Sequence, residues 1–253
     1  MTDYSLDDRW QENRASWTFT PTQTFSLLLI VIAMVTVIIG YSVVHSSETV
    51  GFIFNVFNDF YANVSSELIS IVITVLVLDR LNARRAMREQ RDELIFLLGS
   101  EDNSTALTAA RMLRHKRWLQ DGSLKGARLV ATNLQGADLV SANLEEANLR
   151  LANLSNASLS SVNLDAANLM GANLTNASLS FSNLRNADLT HSNLNGTKLW
   201  YTILAGAKFS NTQMDENTFL PDGTNWTPDT DMTRFTDPNH PDFWQPDRAK
   251  END

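Results

Sequence analysis

Apolar residues follow three different rhythms along this chain, and each rhythm predicts a different element. From Phe25 to Val44 they run almost unbroken, twenty residues without a charge (FSLLLIVIAMVTVIIGYSVV). As a helix such a stretch is about 30 Å long, the thickness of a bilayer's hydrocarbon core. A long acidic segment precedes it and no A-x-A-like site follows, which argues against a cleaved signal peptide. A second run, ELISIVITVLVLDRL, has eleven uninterrupted apolar or hydroxyl residues, Leu68 to Leu78, and reaches eighteen only when extended back to Tyr61. That extension crosses Asn63 and Glu67, and a charge at membrane depth costs about 3 kcal/mol. Asn55, Asp59, Asn63, Ser66, Glu67, Ser70 and Thr74 fall within about 120° of arc on a helical wheel. Such a polar stripe packs against the first span or lines a self-associating bundle.

Together these runs predict a transmembrane hairpin over 25–78, with spans at about 25–44 and 61–78, behind an N-terminal segment 1–24. Arg80, Arg84, Arg85, Arg88 and Arg91 crowd the end of the second span, and the loop between spans has no Lys or Arg. By the positive-inside rule both termini are then cytoplasmic and the protein is a multi-pass membrane protein. Arg80, Arg84, Arg85 and Arg88 are also candidate contacts for lipid headgroups of the bilayer.

Residues 79–121 keep a helical rhythm and form a neck. One helix stops at Gly99, and Asn103 or Ser104 can cap a second that ends at Gly122. Leu107, Ala110, Leu113 and Trp118 give this second helix an apolar side, and Arg111, Arg114, Lys116 and Arg117 a basic one.

The third rhythm has a period of five. Over 122–221 leucine fills the centre of seventeen consecutive five-residue units, Leu124 to Leu204, and Phe209, Met214 and Phe219 complete the set. Two residues before the centre the side chain is small, Ala in eleven units. Immediately before the centre it is Asn nine times and Asp twice. An α-helix scatters such leucines around its axis, and a continuous strand sends alternate ones to opposite faces. A chain that bends every five residues buries them all. Three extended residues point the small residue and the leucine inward and the Asn outward, and two more turn the corner. Gly136, Asn156, Asn176 and Gly196 recur at twenty residues, which predicts four sides per coil and five coils. At about 4.8 Å per coil the column is roughly 24 Å long.

Units such as Ala142-Asn143-Leu144, Ala172-Asn173-Leu174 and Ala187-Asp188-Leu189 resemble the A-(D/N)-L-x-x motif of the pentapeptide-repeat family. The resemblance implies a right-handed quadrilateral β-helix, so the fold class is mainly β, preceded by two transmembrane helices and the neck. It also implies a bacterial source, where the family is commonest, and hence a bacterial cytoplasmic membrane. The last units drift from the pattern, as terminal repeats do.

The segment 222–253 is acidic and rich in proline, a composition that favours disorder. Yet Trp226, Phe235, Phe243 and Trp244 predict that Pro221 to about Trp244 folds over the open end of the column as a cap. Asp229 and Asp231 hint at calcium, without the Gly and bidentate Glu of an EF-hand loop.

Charge and composition narrow the function. The net charge of −9 is uneven: −5 over 1–78, +2 over 79–121, −1 over 122–220 and −5 over 221–253. The chain has no cysteine, and its four histidines lack metal-ligand spacing. There is no G-x-S-x-G, no phosphate-cradling glycine loop and no His/Asp pair. These features predict a protein that is not an enzyme and takes no cofactor.

The favoured reading is a membrane-anchored scaffold presenting its β-helix to a cytoplasmic protein. The candidate surface is Phe181, Trp200 and Tyr201, because Phe181 and Tyr201 stand twenty residues apart and so share a corner in adjacent coils. The alternative there is a corner contact that protects the ladder. A second reading makes the hairpin the active part, an oligomeric channel or sensor on the stripe Asp59, Asn63, Glu67, Ser70 and Thr74. A third comes from the family, some of whose members mimic DNA and bind gyrase. That role needs a strongly negative rod, whereas Arg150, Arg185, Lys198 and Lys208 intersperse these repeats, so nucleic-acid-like roles are disfavoured.

Overall fold

The computed structural model describes residues 51–246 together with Leu28, Val31, Ile32, Met34, Val35 and Ile38. The chain divides into two compact units, Met1–Met87 and Arg88–Asp253. Its helices among the described residues are α1 (Gly51–Leu98), α2 (Asn103–His115) and the short α3 (Thr233–Thr236).

In the first unit, α1 buries Val72 and exposes Ile69, Ile71, Ile73, Val77 and Leu78. Among the described residues no helix is long and apolar enough to cross a membrane, which overturns the membrane hairpin and the multi-pass localisation. The physical reason is the short apolar run of α1. Glu67 and Asp79 bracket eleven residues, about 16 Å of helix where a bilayer core needs about 30 Å. The first expected span, 25–44, lies outside the described residues except for the six named above. With the membrane goes the positive-inside placement of the termini. Arg80, Arg84, Arg85 and Arg88 are simply exposed on α1.

In the second unit, α2 starts one residue earlier than the sequence suggests. Asp102 is the N-cap, its Oδ2 accepting from Thr105 N at 2.8 Å, Thr105 Oγ1 at 2.6 Å and Ser104 Oγ at 2.9 Å. Asn103 is freed for another task, and its amide donates to the carbonyls of Asn133 and Gln135, each at 3.1 Å. The helix also ends at His115, well before Gly122. Trp118 N donates to Leu113 O and Arg117 N to Arg114 O, both at 2.9 Å, the double closure of a Schellman turn. Arg117 sits at the left-handed position of that turn, φ 60°.

From Gly122 onward the chain winds into a four-sided β-helix. Parallel bridges join residues twenty apart, from Arg128–Asn148 to Asn193–Gln213, so four units of five make one coil. The unit Ala152–Asn156 shows why this backbone suits the sequence. Ala152 N donates to Leu149 O across the preceding corner at 3.0 Å. Asn153 N reaches Thr132 O in the coil below at 2.9 Å, and Leu154 N reaches Asn173 O in the coil above at 2.7 Å. Ser155 N donates to its neighbour's side chain, Asn153 Oδ1, at 3.2 Å. Asn156 N donates to Thr175 O at 2.9 Å, so all five amides are satisfied. Each unit then turns its corner with a left-handed residue, Asn156 at φ 58° in this one.

The interior is a ladder of leucines with small residues beside them. Leu124 to Leu199 at every fifth position are fully buried. Ala fills most of the small positions, and at several where Ser or Thr replaces it, though not at Ser192, the buried hydroxyl finds a carbonyl in the coil below. Ser182 Oγ donates to Leu159 O at 2.7 Å, Thr197 Oγ1 to Leu174 O at 2.8 Å and Thr202 Oγ1 to Leu179 O at 2.8 Å.

The last unit departs from the expected register. Lys198 bridges Phe219, twenty-one residues on, so one residue has been inserted. The insertion falls in the turn at Asp215–Thr218, where Asp215 Oδ1 accepts from Gly196 N at 2.8 Å and Asn217 N at 3.1 Å. As a result Leu220, and not Phe219, takes the interior position, with Thr218 buried beside it. Phe219 faces outward.

Both ends of the column are closed. At the N-terminal end Leu94 and Leu98 of α1, with Ala106, Ala109, Ala110 and Leu113 of α2, join the leucine core. Backbone donors of the first coil find acceptors there: Asn133 N meets Ser100 O at 3.0 Å and Asn143 N meets Leu119 O at 2.7 Å. At the other end Phe235 of α3 is buried, edge-on to Trp244 with centroids 5.9 Å apart. Gly206 N donates to Thr236 O at 2.7 Å, and Phe219 pairs antiparallel with Asn225. Covered ends leave no open strand row for another chain to extend.

Candidate interaction surface

The outward positions of the β-helix form columns with one residue per coil. On most of the surface these columns are polar and short. Asn133, Asn153 and Asn173 make one ladder, each amide donating to the side-chain oxygen one coil below at 3.2 and 3.4 Å. Asn143, Asn163 and Asn183 make another, at 3.4 and 3.0 Å. Their Oδ1 atoms also accept the amide two residues on, as in Glu145 N to Asn143 Oδ1 at 3.2 Å. Asn is therefore chosen for two local bonds and not merely for facing water.

One corner is different. Its column reads Ser141, Ser161, Phe181, Tyr201, all with positive φ. The rings of Phe181 and Tyr201 stack with centroids 5.3 Å apart and an interplanar angle of 5°. Trp200 stands beside Tyr201 and meets Phe219 edge-on at 5.1 Å. Phe181, Trp200 and Tyr201 keep 46%, 39% and 53% of their surface exposed. The structure thus gathers these three sequence candidates and adds a fourth, Phe219. Counting in strict fives puts Phe219 inside and misses it. The signal was present in Thr218-Phe219-Leu220, which offers a small residue and a leucine one position later.

The backbone of this corner is costly for any residue other than glycine. A left-handed conformation costs a side-chain-bearing residue about 1–2 kcal/mol, and an aromatic pair returns about 0.5–1.5 kcal/mol beyond its buried area. Ser141 and Ser161 turn the same corner without any stack. Serine pays the same left-handed cost, so relative to serine the two rings gain the stack while leaving about half of their own surface exposed.

The stripe Asp59, Asn63, Glu67, Ser70 and Thr74 lies on the exposed side of α1. Thr74 Oγ1 turns back to its own helix, donating to Ser70 O at 2.9 Å, as does Ser66 Oγ to Asn63 O at 2.8 Å. At the capped end a cleft of about 670 Å³ is lined by residues including Asp229, Asp231, Arg234, His240 and Trp244. Asp231 is held below the usual aspartate range, chiefly by the Thr233 hydroxyl and amide, and pairs with His240 Nε2 at 3.2 Å. Among the described residues no group of three or more His, Asp or Glu is placed to hold a metal ion.

Residues 119–150 and 152–190 match the family model "Pentapeptide repeats" in eight copies. This segment is built of pentapeptide repeats. Such repeats form a right-handed β-helix, in keeping with the twenty-residue coil described above. Among solved structures, a pentapeptide repeat protein from the cyanobacterium Cyanothece 51142 is 40% identical over 38% of this chain and 62% of its own, with a TM-score of 0.26. HetL of Nostoc sp. strain PCC 7120, a pentapeptide repeat protein involved in heterocyst differentiation regulation, is 29% identical over 40% and 63%, with a TM-score of 0.26. A pentapeptide repeat protein of the Arabidopsis thaliana thylakoid lumen is 26% identical over 44% and 70%, with a TM-score of 0.28. The chain thus spans about three-fifths of the length of the two cyanobacterial proteins. No curated protein matches the sequence.

Proposed function

We propose that this protein is a non-enzymatic scaffold whose pentapeptide-repeat β-helix binds another protein through the corner formed by Phe181, Trp200 and Tyr201. The supporting observation is the stacked, half-exposed ring pair Phe181–Tyr201 at left-handed corners. Three adjacent large aromatic side chains, exposed together, have the make-up of an interface centre. The rigid ladder beneath fixes the rings before any partner arrives, so little conformational entropy remains to be lost on binding. The repeats carry a net charge of only −1 over 122–220, which does not favour a DNA-mimicking role.

The test is site-specific photocrosslinking in native extract, with a photoreactive residue in place of Tyr201. A discrete adduct that vanishes in Phe181→Ser and Trp200→Ser variants of unchanged melting temperature supports the reading. An adduct indifferent to both substitutions, or none, sinks it.

A further inference from the structure

At one corner of the column the left-handed residue of each coil donates its amide to the coil above. Gly136 N reaches Ser155 O, Asn156 N reaches Thr175 O and Asn176 N reaches Asn195 O, all at 2.9 Å. Gly196 continues this series, but above it lies the turn that carries the inserted residue. There Asp215 Oδ1 takes the Gly196 amide, at 2.8 Å. Within this column a neutral carbonyl thus gives way to an anion.

The peptide bond beneath that anion is chemically distinct. Asn195-Gly196 is the only Asn-Gly pair in the sequence. A glycine amide meets no side-chain obstacle in folding back on the preceding Asn, so this pair cyclises more readily than Asn before a bulky residue. Glycine is required at 196, where φ is +67° and a Cβ would run into Asn176 Oδ1. Packing therefore fixes the reactive half of the pair. The peptide itself is held from both sides. Asn195 O accepts from Asn176 N below, Gly196 N donates to Asp215 above, and Asn195 N is tied to Asn193 Oδ1 at 3.0 Å.

We propose that Asn195-Gly196 is a deamidation site kept closed by the Asp215 carboxylate. The reaction begins when Gly196 N loses its proton to solvent hydroxide and attacks Asn195 Cγ. The N–Cγ bond forms, the Cγ–Nδ2 bond breaks, and ammonia leaves with a proton from water. Water then opens the succinimide at either carbonyl, leaving aspartate or isoaspartate at 195. Asp215 opposes the first step twice. The Gly196 N–H must leave its acceptor, and the amide anion would form 2.8 Å from a carboxylate, a like charge that disfavours ionisation. Nor is this carboxylate a useful base. Burial pushes it up, but the donors Gly196 N, Asn217 and Thr218 outweigh that and hold it below the ordinary aspartate range. Lys198 and Glu216, the charged residues next along the chain, are of opposite sign and exposed, so solvent screens both. Isoaspartate lengthens the backbone by one atom at this corner and frees the turn that sets Phe219 outward against Trp200. The chemistry stands whether or not that surface binds a protein.

The experiment incubates the full chain in warm, mildly alkaline heavy-oxygen water, which labels each ring opening. Peptide mapping by mass spectrometry then reads conversion at Asn195. The folded parent should convert at least about tenfold more slowly than the same chain in urea. Asp215→Ala should recover about tenfold or more of the rate. Asp215→Asn keeps an acceptor for Gly196 without the charge and should lie between, and it decides the matter should alanine unravel the last unit. Thr212→Val loosens the same end of the column by removing the bond from Thr212 Oγ1 to Leu189 O at 2.9 Å, and should convert as slowly as the parent. A parent that converts as fast folded as in urea overturns the proposal, as do Asp215 variants no faster than the parent. Equal acceleration in Thr212→Val overturns it too, because the effect would then belong to a loosened end and not to the carboxylate.

Discussion

The side-chain amide of Asn153 donates to Asn133 Oδ1 one coil below at 3.2 Å, while its own Oδ1 accepts Ser155 N at 3.2 Å and Ser155 Oγ at 2.8 Å. One residue thus ties two coils together and closes its own turn. Asn153→Ala removes every one of these bonds and strands the Ser155 amide, so it should cost about 1–3 kcal/mol. Asn153→Asp keeps the acceptor for Ser155 but places a carboxylate oxygen against Asn133 Oδ1, and should fall between alanine and the parent. Urea unfolding of the three proteins decides it. Equal losses in both variants would show that the turn bond contributes nothing.

How far the sequence exposes the fold follows from this unit. A period of five with leucine at the centre is incompatible with a helix or a strand, and Leu124 to Leu199 are buried where that argument puts them. The local roles of the other positions were harder to read. The geometry of the bend points Asn outward, but the preference for Asn there reflects the turn bond to the residue two ahead. A count of five puts Phe219 inside, whereas the turn at Asp215 inserts a residue that only its side-chain bonds to Gly196 and Asn217 reveal. The membrane reading failed on α1 because hydropathy rewards isoleucine and valine locally. Spanning depends instead on the length between Glu67 and Asp79. At the aromatic corner, the twenty-residue spacing of Phe181 and Tyr201 announces adjacency, while the stacking angle and the cost of their backbone do not appear in any sequence pattern.

Interior hydroxyls give a paired test. Thr202 is buried and its Oγ1 donates to Leu179 O at 2.8 Å. Ser192 is equally buried, and its Oγ has no partner. Thr202→Val keeps the shape and loses the bond, and should destabilise by about 0.5–1.5 kcal/mol. Ser192→Ala removes an unpaired polar atom from the core and should stabilise by about 1 kcal/mol. The opposite signs are the prediction, read from urea midpoints at constant slope.

Acid should loosen α2 from its N-terminus. The hydroxyl of Thr105, then its amide and the Ser104 hydroxyl, hold the Asp102 carboxyl below the ordinary aspartate range. The folded value lies below the unfolded one, so this cap's contribution is complete above the unfolded value and fades as pH falls through the folded one. Below about pH 4, hydrogen exchange at Thr105 and Ala106 should therefore accelerate relative to the leucine ladder. In Asp102→Asn, which cannot titrate, that additional acid dependence should be missing. An identical pH profile in both proteins would place the sensitivity elsewhere.

Arg117 occupies, at φ 60°, the turn position that glycine usually fills at a helix end. Arg117→Gly should stabilise by up to about 1 kcal/mol by relieving a conformation unfavourable to any side chain. Thermal melts measure the gain. A clear loss would mean that the guanidinium makes a contact worth more than the strain.

The same reasoning, applied to the aromatic corner, separates an architectural stack from one kept for a partner. In a double-mutant cycle, Phe181→Ser and Tyr201→Ser should show a coupling of about 0.5–1.5 kcal/mol, the worth of an aromatic pair. The double variant should nonetheless lie within about 1 kcal/mol of the parent. Serine turns this corner at positions 141 and 161 and pays the same left-handed cost, so the double variant loses only the stack and the area it buries. Urea unfolding gives the stability, and the photocrosslink at the neighbouring Trp200 position gives the binding. A double variant that unfolds easily would make the stack a brace for the ladder. One that folds as well as the parent while losing the adduct leaves recognition as the reason for two exposed rings.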